Sequence, residues 1–250
     1  GIQKWVINSN WKVVIENAMG DSLHQPSHAS VDIAGISPSK DGRGRKDDLG
    51  KFVLSANPEG HAFIYNLWPM EKDRADYQRE PVVAEWFQEK WRKRKENMGD
   101  AAGIWPRLGA VFPNTGFLSN QPRTIMMAHP AGPEKSELWR MYYVDRDAPS
   151  EVRAWLRNYY LSYSGPGGMT EQDDMENWQY ATKSCSGTVS RRYPFHYKSG
   201  LGMETTSSEV PGMYKEGRGS EQNARVLFSR WADFMDAKDW SELEPAGGWK

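Results

Sequence analysis

The sequence NWKVVIENAMGDSLHQPSH, residues 10–28, places an acid and two histidines close together. Asp21, His24 and His28 are three, four and seven positions apart, a spacing that predicts one shared face of a helix. Two neutral imidazoles that point the same way are typical of a metal site. Pro26 lies between them and would remove a helical hydrogen bond, which predicts that the second half of the stretch kinks or leaves the helix.

A third metal ligand has to come from elsewhere, and the best source is the acidic sequence EQDDMENW at residues 171–178. These acids follow a glycine-rich turn and would begin a helix, where acids are also common for reasons of helix stability alone. Two histidines and one carboxylate on one side of a metal form the ligand set of non-haem Fe(II) oxygenases. A zinc protease is a poorer match, because HQPSH lacks the glutamate of H-E-x-x-H.

Length and composition limit the classes of function. The 250 residues suffice for one large domain with a sizeable core, predicted to span residues 1–250. A net charge of −1 argues against a nucleic-acid binder and against a membrane-surface protein. The single cysteine, Cys185, is compatible with a cytoplasmic location and excludes a Rieske cluster held by this chain, because that cluster needs two cysteines and two histidines.

The pattern of apolar residues predicts the order of strands and helices. Strands are expected at residues 5–8, 51–55, 61–67, 108–112, 116–119, 124–129 and 137–144. Helices are expected from residue 11 and at residues 81–98, 151–163 and 220–237. Residues 31–49 and 200–219 are expected to be loops, the first either a lid over a substrate entrance or a solvated loop without a role. This order indicates an α+β fold, with helices on one face of an antiparallel sheet.

Four segments resemble, in the same order, the large (alpha) subunit of aromatic-ring-hydroxylating dioxygenases of the Rieske non-haem iron class. They are residues 10–30, VFPNTGFLS at 111–119, HPAGP at 129–133 and EQDDMENW at 171–178. The resemblance implies a helix-grip (START-like) catalytic domain that encloses a ligand cavity. The given sequence begins at Gly1 without an initiator methionine or a signal region, and the resemblance predicts a Rieske domain upstream of this chain.

The resemblance also implies the roles of particular residues. The ligands of a mononuclear Fe(II) would be His24, His28 and Asp174, with Asp173 as the alternative acid. Asp21 would orient an imidazole and link this iron to the Rieske cluster of a neighbouring subunit, and Asn17 matches a polar residue near the iron. Both are expected to be catalytic residues.

A cavity for a flat aromatic substrate is expected beside these motifs. Its predicted lining residues are Ala18, Met19, Leu23, Val111, Phe117, Met127, Met169 and Thr170. Thr170 stands where many relatives have a bulky aromatic residue, which predicts a roomier or more polar pocket. In the alternative interpretation, Thr170 caps the helix that carries Asp174.

The activity implied by the resemblance is the addition of both atoms of O2 to an aromatic ring, giving a cis-dihydrodiol in aromatic hydrocarbon catabolism. Electrons would come from NADH through a separate reductase and ferredoxin, since the chain has no G-x-G-x-x-G turn. The subunits would form a homotrimer, or a hetero-hexamer with a small beta subunit. Two alternatives stay open: a non-enzymatic domain of the same fold that binds an apolar ligand, and a metal hydrolase.

Overall fold

The computed structural model describes residues 1–21, 23–36, 51–74, 77–206, 210, 212–216 and 219–243. The strands are β1 (Ile2–Ile7), β2 (Lys51–Ala56), β3 (Ala62–Leu67), β4 (Ile104–Val111), β5 (Thr115–Leu118), β6 (Thr124–Pro130), β7 (Ser136–Tyr142), β8 (Thr205–Thr206) and β9 (Met213–Glu216). The α-helices are α1 (Trp11–Ala18), α2 (Ala29–Ile33), α3 (Pro81–Met98), α4 (Ser150–Tyr163), α5 (Met169–Ser184) and α6 (Gln222–Asp236). None of these helices is long and apolar enough to cross a membrane.

The described strands form one antiparallel sheet in the order β1-β7-β6-β5-β4-β3-β2-β9-β8. Strands β2 to β7 follow one another in sequence and in space, so the predicted meander is confirmed. The prediction of a loop at residues 200–219 is wrong, because β9 pairs with β2 and β8 pairs with β9. Main-chain hydrogen bonds hold these two strand pairs together, and such bonds require no alternation of apolar side chains in the sequence. The predicted loop or lid at residues 31–49 is wrong for residues 31–33, which belong to α2. From position 37 onward it lies outside the described residues.

Helices α1, α5 and α6 cover one face of the sheet, as the α+β prediction requires. The buried core between these layers includes Val14, Ile15, Trp178 and Leu227 from the helices and Met126 and Leu138 from the strands. Alternation along β6 explains the contribution of that strand, since residues two apart point to the same face and Thr124, Met126 and Ala128 are all buried. The face of the sheet that carries Met126 is therefore the face toward the helices.

Helix α1 is short, and its end sets the path of the metal motif. Asn10 caps the helix by accepting a hydrogen bond from the Lys12 amide at 3.0 Å. The helix ends at Ala18, before Asp21 and the histidines, so the prediction that all three share one helical face is wrong. Gly20 has a φ of +109°, and a Cβ there would lie 2.4 Å from Ile64 Cγ1, which accounts for a glycine where the chain turns over β3.

The second half of the motif leaves the helix, as the proline predicted. Residues Gln25–His28 form a short 3-10 helix with Pro26 in its first turn, a position where the missing N–H costs nothing. Helix α2 follows directly. The two histidines therefore stand at the two ends of one tight turn, where their rings can meet.

Candidate metal centre

Two histidines from this turn and one acid from α5 bring three ligand atoms together. His24 Nε2, His28 Nε2 and Asp174 Oδ1 all lie within 4.8 Å of one another. The two Nε2 atoms are 2.9 Å apart, and Asp174 Oδ1 lies 3.1 Å from His28 Nε2 and 3.5 Å from His24 Nε2. The acid comes from a distant part of the chain, so the fold rather than local spacing completes the site.

The outer nitrogens of both rings contact oxygen acceptors. His24 Nδ1 hydrogen-bonds to the backbone carbonyl of Asp21, and His28 Nδ1 lies 3.4 Å from Asp173 Oδ2. These contacts assign the proton of each ring to Nδ1 and leave the Nε2 lone pairs for a cation. Asp174 Oδ1 is buried, and no described residue hydrogen-bonds to it, a costly arrangement that a metal ion would relieve. This donor set fits Fe(II).

Asp173 and Asp174 have different surroundings, although they are adjacent. Asp173 Oδ2 accepts a hydrogen bond from Ser30 Oγ at 2.8 Å and faces the outer nitrogen of His28. Successive helical residues point about 100° apart, so two neighbours cannot both face the same point. Asp174 therefore stands on the inner side, where the Nε2 atoms meet, and Asp173 holds the His28 ring from outside.

Asn17 and Asp21 lie beside the histidines. Both border the cavity described below and also a surface cleft on the other side of His24. The Asp21 carboxylate accepts a hydrogen bond from the Leu23 amide at 3.0 Å, and its other oxygen lies 3.7 Å from His24 Nδ1. Asp21 is thus placed to orient the His24 ring, between the candidate metal centre and the surface.

A cavity of about 190 Å³ opens next to the three ligand atoms. Its apolar wall consists of Phe52, Leu54, Ile64, Leu108, Leu118 and Met126. Engineered cavities of about 150 Å³ with walls of this kind stay dry and bind benzene. The space beside the metal ligands therefore suits an aromatic ring.

Three of the eight predicted lining residues border this cavity: Ala18, Phe117 and Thr170. Phe117 does so without directing its ring inward. A Cβ built on Gly116 would lie 2.8 Å from the Cβ of Ala18, so Gly116 faces the helices and Phe117 faces the opposite side. The Phe117 ring packs there against Phe63, with centroids 5.8 Å apart.

The other five predicted lining residues do not border this cavity. Met127 and Val111 follow Met126 and Ala110, which are the inward residues of β6 and β4, and Val111 is 42% exposed. Leu23 is 54% exposed, and Met19 is fully buried in the core. Met169, the first residue of α5, is half-buried. For Val111 and Met127, the prediction chose the wrong alternation.

Thr170 is the second residue of α5, and the residue at the cap position is Gly168. The Thr170 side chain is buried at the cavity, and among the described residues its Oγ1 has no hydrogen-bond partner. The alternative interpretation of Thr170 as a helix cap is therefore wrong. The hydroxyl group of Thr170 therefore forms part of the cavity wall.

A buried ion pair on the cavity wall was missed from the sequence. Arg140, on β7, donates to the Glu171 carboxylate and to the Ser164 carbonyl, the latter at 3.0 Å. Burial raises the pKa of Glu171 to about 7, while the Arg140 charge lowers it and the Asp174 charge raises it further. Alternation with the buried Leu138 could have indicated that Arg140 points inward.

The surface cleft holds a partly buried acid. Glu16 accepts a hydrogen bond from Tyr197 Oη at 3.0 Å. Burial raises the pKa of Glu16 to about 7; the Tyr197 bond opposes this rise, and the charges of Asp21 and Glu221 add to it. The cleft next to the metal motif therefore contains a carboxyl group that titrates near neutrality.

The fold agrees with comparisons to known proteins. A family model described as "Ring hydroxylating alpha subunit (catalytic domain)" matches residues 2–225. The chain belongs to this family. The resemblance stated from the four sequence segments is thereby confirmed.

Among curated relatives, the chain is 29% identical over 261 residues to the benzene 1,2-dioxygenase subunit alpha of Pseudomonas putida, covering 98% of this chain and 55% of the relative. It is 31% identical over 252 residues to the biphenyl 2,3-dioxygenase subunit alpha of Rhodococcus jostii (strain RHA1), covering 98% and 54%. A structure of naphthalene 1,2-dioxygenase with indole in its active site superposes with a TM-score of 0.81 at 22% identity, covering 97% and 57%. The chain thus spans about half the length of the curated relatives it matches, and the α+β fold prediction is confirmed.

Proposed function

We propose that this chain is the catalytic domain of an iron-dependent dioxygenase that acts on aromatic rings. The observation that carries the proposal is the meeting of His24, His28 and Asp174 at the edge of an apolar cavity large enough for a ring. Family membership supports it. A binding domain without a metal would have no use for three converging ligand atoms, one of them buried without a hydrogen bond.

The reaction is the conversion of an arene to a cis-dihydrodiol. Two C–O bonds form on neighbouring ring carbons, and the balance requires one O2, two electrons and two protons for each ring. Bound Fe(II) would supply O2 activation, which a ligand set of two histidines and one carboxylate with open positions supports. The ligand atoms stand on one side of the cavity, which favours attack on one face of the ring.

The protein residues position the reactants. The apolar wall holds the ring and excludes water, which strengthens the interactions of the polar groups inside. Asp21 and Asp173 hold the outer nitrogens of the two histidines, and such outer contacts fix ring orientation and metal affinity. Asn17 adds a polar group at the boundary between the cavity and the surface cleft.

Electrons would reach this site from partners. We assign them to NADH, passed through a reductase and a ferredoxin to a Rieske [2Fe–2S] cluster in the full-length protein. The names of the relatives as alpha subunits support a multi-component assembly, and we propose a homotrimer or a hetero-hexamer with a small beta subunit in the cytoplasm. Asp21, beside the surface cleft, would connect the cluster of a neighbouring subunit to His24.

The chain can be tested without these partners, because hydrogen peroxide contains the atoms of O2 together with the two electrons and two protons. The chain would be loaded anaerobically with Fe(II) and given benzene, biphenyl or naphthalene with ¹⁸O-labelled peroxide. A cis-dihydrodiol that carries two ¹⁸O atoms is expected from the wild-type chain, and none from a His28→Ala variant. Equal product from both proteins would contradict the proposal.

A further inference from the structure

The cavity has two unlike walls. Next to the apolar residues stands a group that we call the polar wall, formed by Arg140, Ser164, Thr170 and Glu171. Arg140, Thr170 and Glu171 are each less than 9% exposed. A cavity that served an unsubstituted hydrocarbon alone would need no polar wall, since buried polar groups cost free energy unless they are hydrogen-bonded.

The polar wall has unused hydrogen-bonding capacity of both kinds. A guanidinium group has five N–H donors, and the oxygen acceptors recorded for Arg140 are one Glu171 oxygen and the Ser164 carbonyl. Arg140 Nη2 faces Met126 Sδ at 3.2 Å, and a thioether is a weak acceptor. Within the described part of the chain, Arg140 Nε, Glu171 Oε1 and Thr170 Oγ1 are buried without partners.

These atoms select among polar substituents. Arg140 offers donors, Glu171 Oε1 accepts when the group is ionised, and the Thr170 hydroxyl can act in either sense. A carboxylate would satisfy Arg140 but would lie beside the Glu171 carboxylate and near Asp174, and like charges in a buried site repel strongly. A nitro or carbonyl group accepts but cannot donate. A hydroxyl group both accepts and donates and carries no charge.

We propose that the preferred ligand of this cavity is an arene with a hydroxyl substituent, seated with the hydroxyl on Arg140, Glu171 and Thr170 and the ring on the apolar wall. This substrate class rests on the proposed function, because it takes the same cavity as the substrate site. Thr170 makes the arrangement possible, since a bulky aromatic residue at that position would cover the polar wall. The pair Arg140 and Glu171 thereby determines specificity.

The test compares phenol with toluene, which differ by a hydroxyl in place of a methyl group of similar size. Dissociation constants for the metal-free 250-residue chain would be measured by titration calorimetry, and selectivity expressed as Kd of toluene divided by Kd of phenol. Thr170→Val removes one hydroxyl at constant size and is expected to lower the selectivity several-fold. The double variant Arg140→Met with Glu171→Leu removes both charges together, which avoids an unpaired buried charge, and is expected to lower it about tenfold or more.

Met127→Leu, on the outward side of β6, is the matched control and is expected to keep the wild-type selectivity. Circular dichroism would verify that each variant is folded, and Thr170→Val keeps the test decisive should the double variant unfold. Wild-type selectivity in Thr170→Val and in a folded double variant would overturn the inference while leaving the proposed function intact. Tighter binding of benzoate than of phenol to the wild-type chain would also overturn it, in favour of an anionic ligand. Failure of all three compounds to bind would contradict the proposed function itself.

Discussion

The adjacent acids Asp173 and Asp174 should differ in their effect on iron binding when each is changed to asparagine. Both substitutions keep the size of the side chain and remove its charge. Asp174 Oδ1 lies 3.1 and 3.5 Å from the two Nε2 atoms, so Asp174→Asn removes one of three protein ligands. Asp173 reaches only the outer nitrogen of His28, at 3.4 Å, so Asp173→Asn removes an orienting contact.

The expected magnitudes follow from these positions. Loss of a group that orients a ligand costs about 10- to 100-fold in metal affinity, which is the expectation for Asp173→Asn. Loss of the ligand itself should exceed that range, so Asp174→Asn is expected to weaken Fe(II) binding by more than about 100-fold. Ser30 Oγ, which donates to Asp173 at 2.8 Å, can also donate to an asparagine oxygen, and this favours the lower end of the range for Asp173→Asn.

Anaerobic competition with a chromophoric chelator would give the Fe(II) affinity of each variant. Asp236→Asn, at the exposed end of α6, is the matched control, and thermal unfolding without metal would verify that folding is unaffected. Equal losses for Asp173→Asn and Asp174→Asn, or a larger loss for Asp173→Asn, would refute the assignment of Asp174 as the inner ligand.

Three further changes test the cavity, the cleft and the packing. Thr170→Phe should shift product ratios from two-ring toward one-ring substrates at unchanged iron content, and an unchanged ratio would remove Thr170 from the pocket. Burial raises the pKa of Glu16 from 4.5 to about 7, so the stability that its neutral form contributes is full below pH 4.5 and is lost as the pH rises through about 7. Glu16→Gln should therefore reduce this pH-dependent loss of unfolding free energy by an amount on the order of 3 kcal/mol. Urea unfolding of the metal-free chain at pH 5 and pH 8 measures it, and an unaltered pH dependence would contradict the burial of the Glu16 charge. Gly116→Ala should destabilise the chain by about 1–3 kcal/mol in the same assay, since its Cβ would lie 2.8 Å from that of Ala18, and wild-type stability would show that α1 can shift.

The fold was predictable where side chains alternate or repeat with helical period. The meander from β2 to β7 and the helices α3, α4 and α6 were predicted because burial imposes a periodic pattern on the sequence. Strands β8 and β9, at one end of the sheet, carry no such pattern, and main-chain hydrogen bonds pair them with each other and with β2. The early end of α1 depends on a positive φ at Gly20 and on the nearby Ile64, a contact between distant residues that local sequence does not show.

The candidate metal centre was predictable because its residue types are specific to metal chemistry, and Asp174 was named through the family pattern. The cavity was harder, because a shift of one residue turns every side chain of a strand to the other face. Val111 and Met127 were chosen one residue away from inward positions, and Phe117 borders the cavity although its ring packs against Phe63. Arg140 was missed for a related reason, since its importance depends on Glu171, which reaches it only in the folded chain.

A single iron is expected to bind between His24, His28 and Asp174 at the edge of the cavity. Anomalous diffraction at the iron absorption edge, from crystals of the chain grown anaerobically with Fe(II), tests this claim most directly. One anomalous peak is expected, at roughly 2.0 to 2.2 Å from His24 Nε2, His28 Nε2 and an Asp174 carboxylate oxygen. A peak coordinated by Asp173 in place of Asp174, or no peak between the two histidines of an iron-loaded chain, would contradict it.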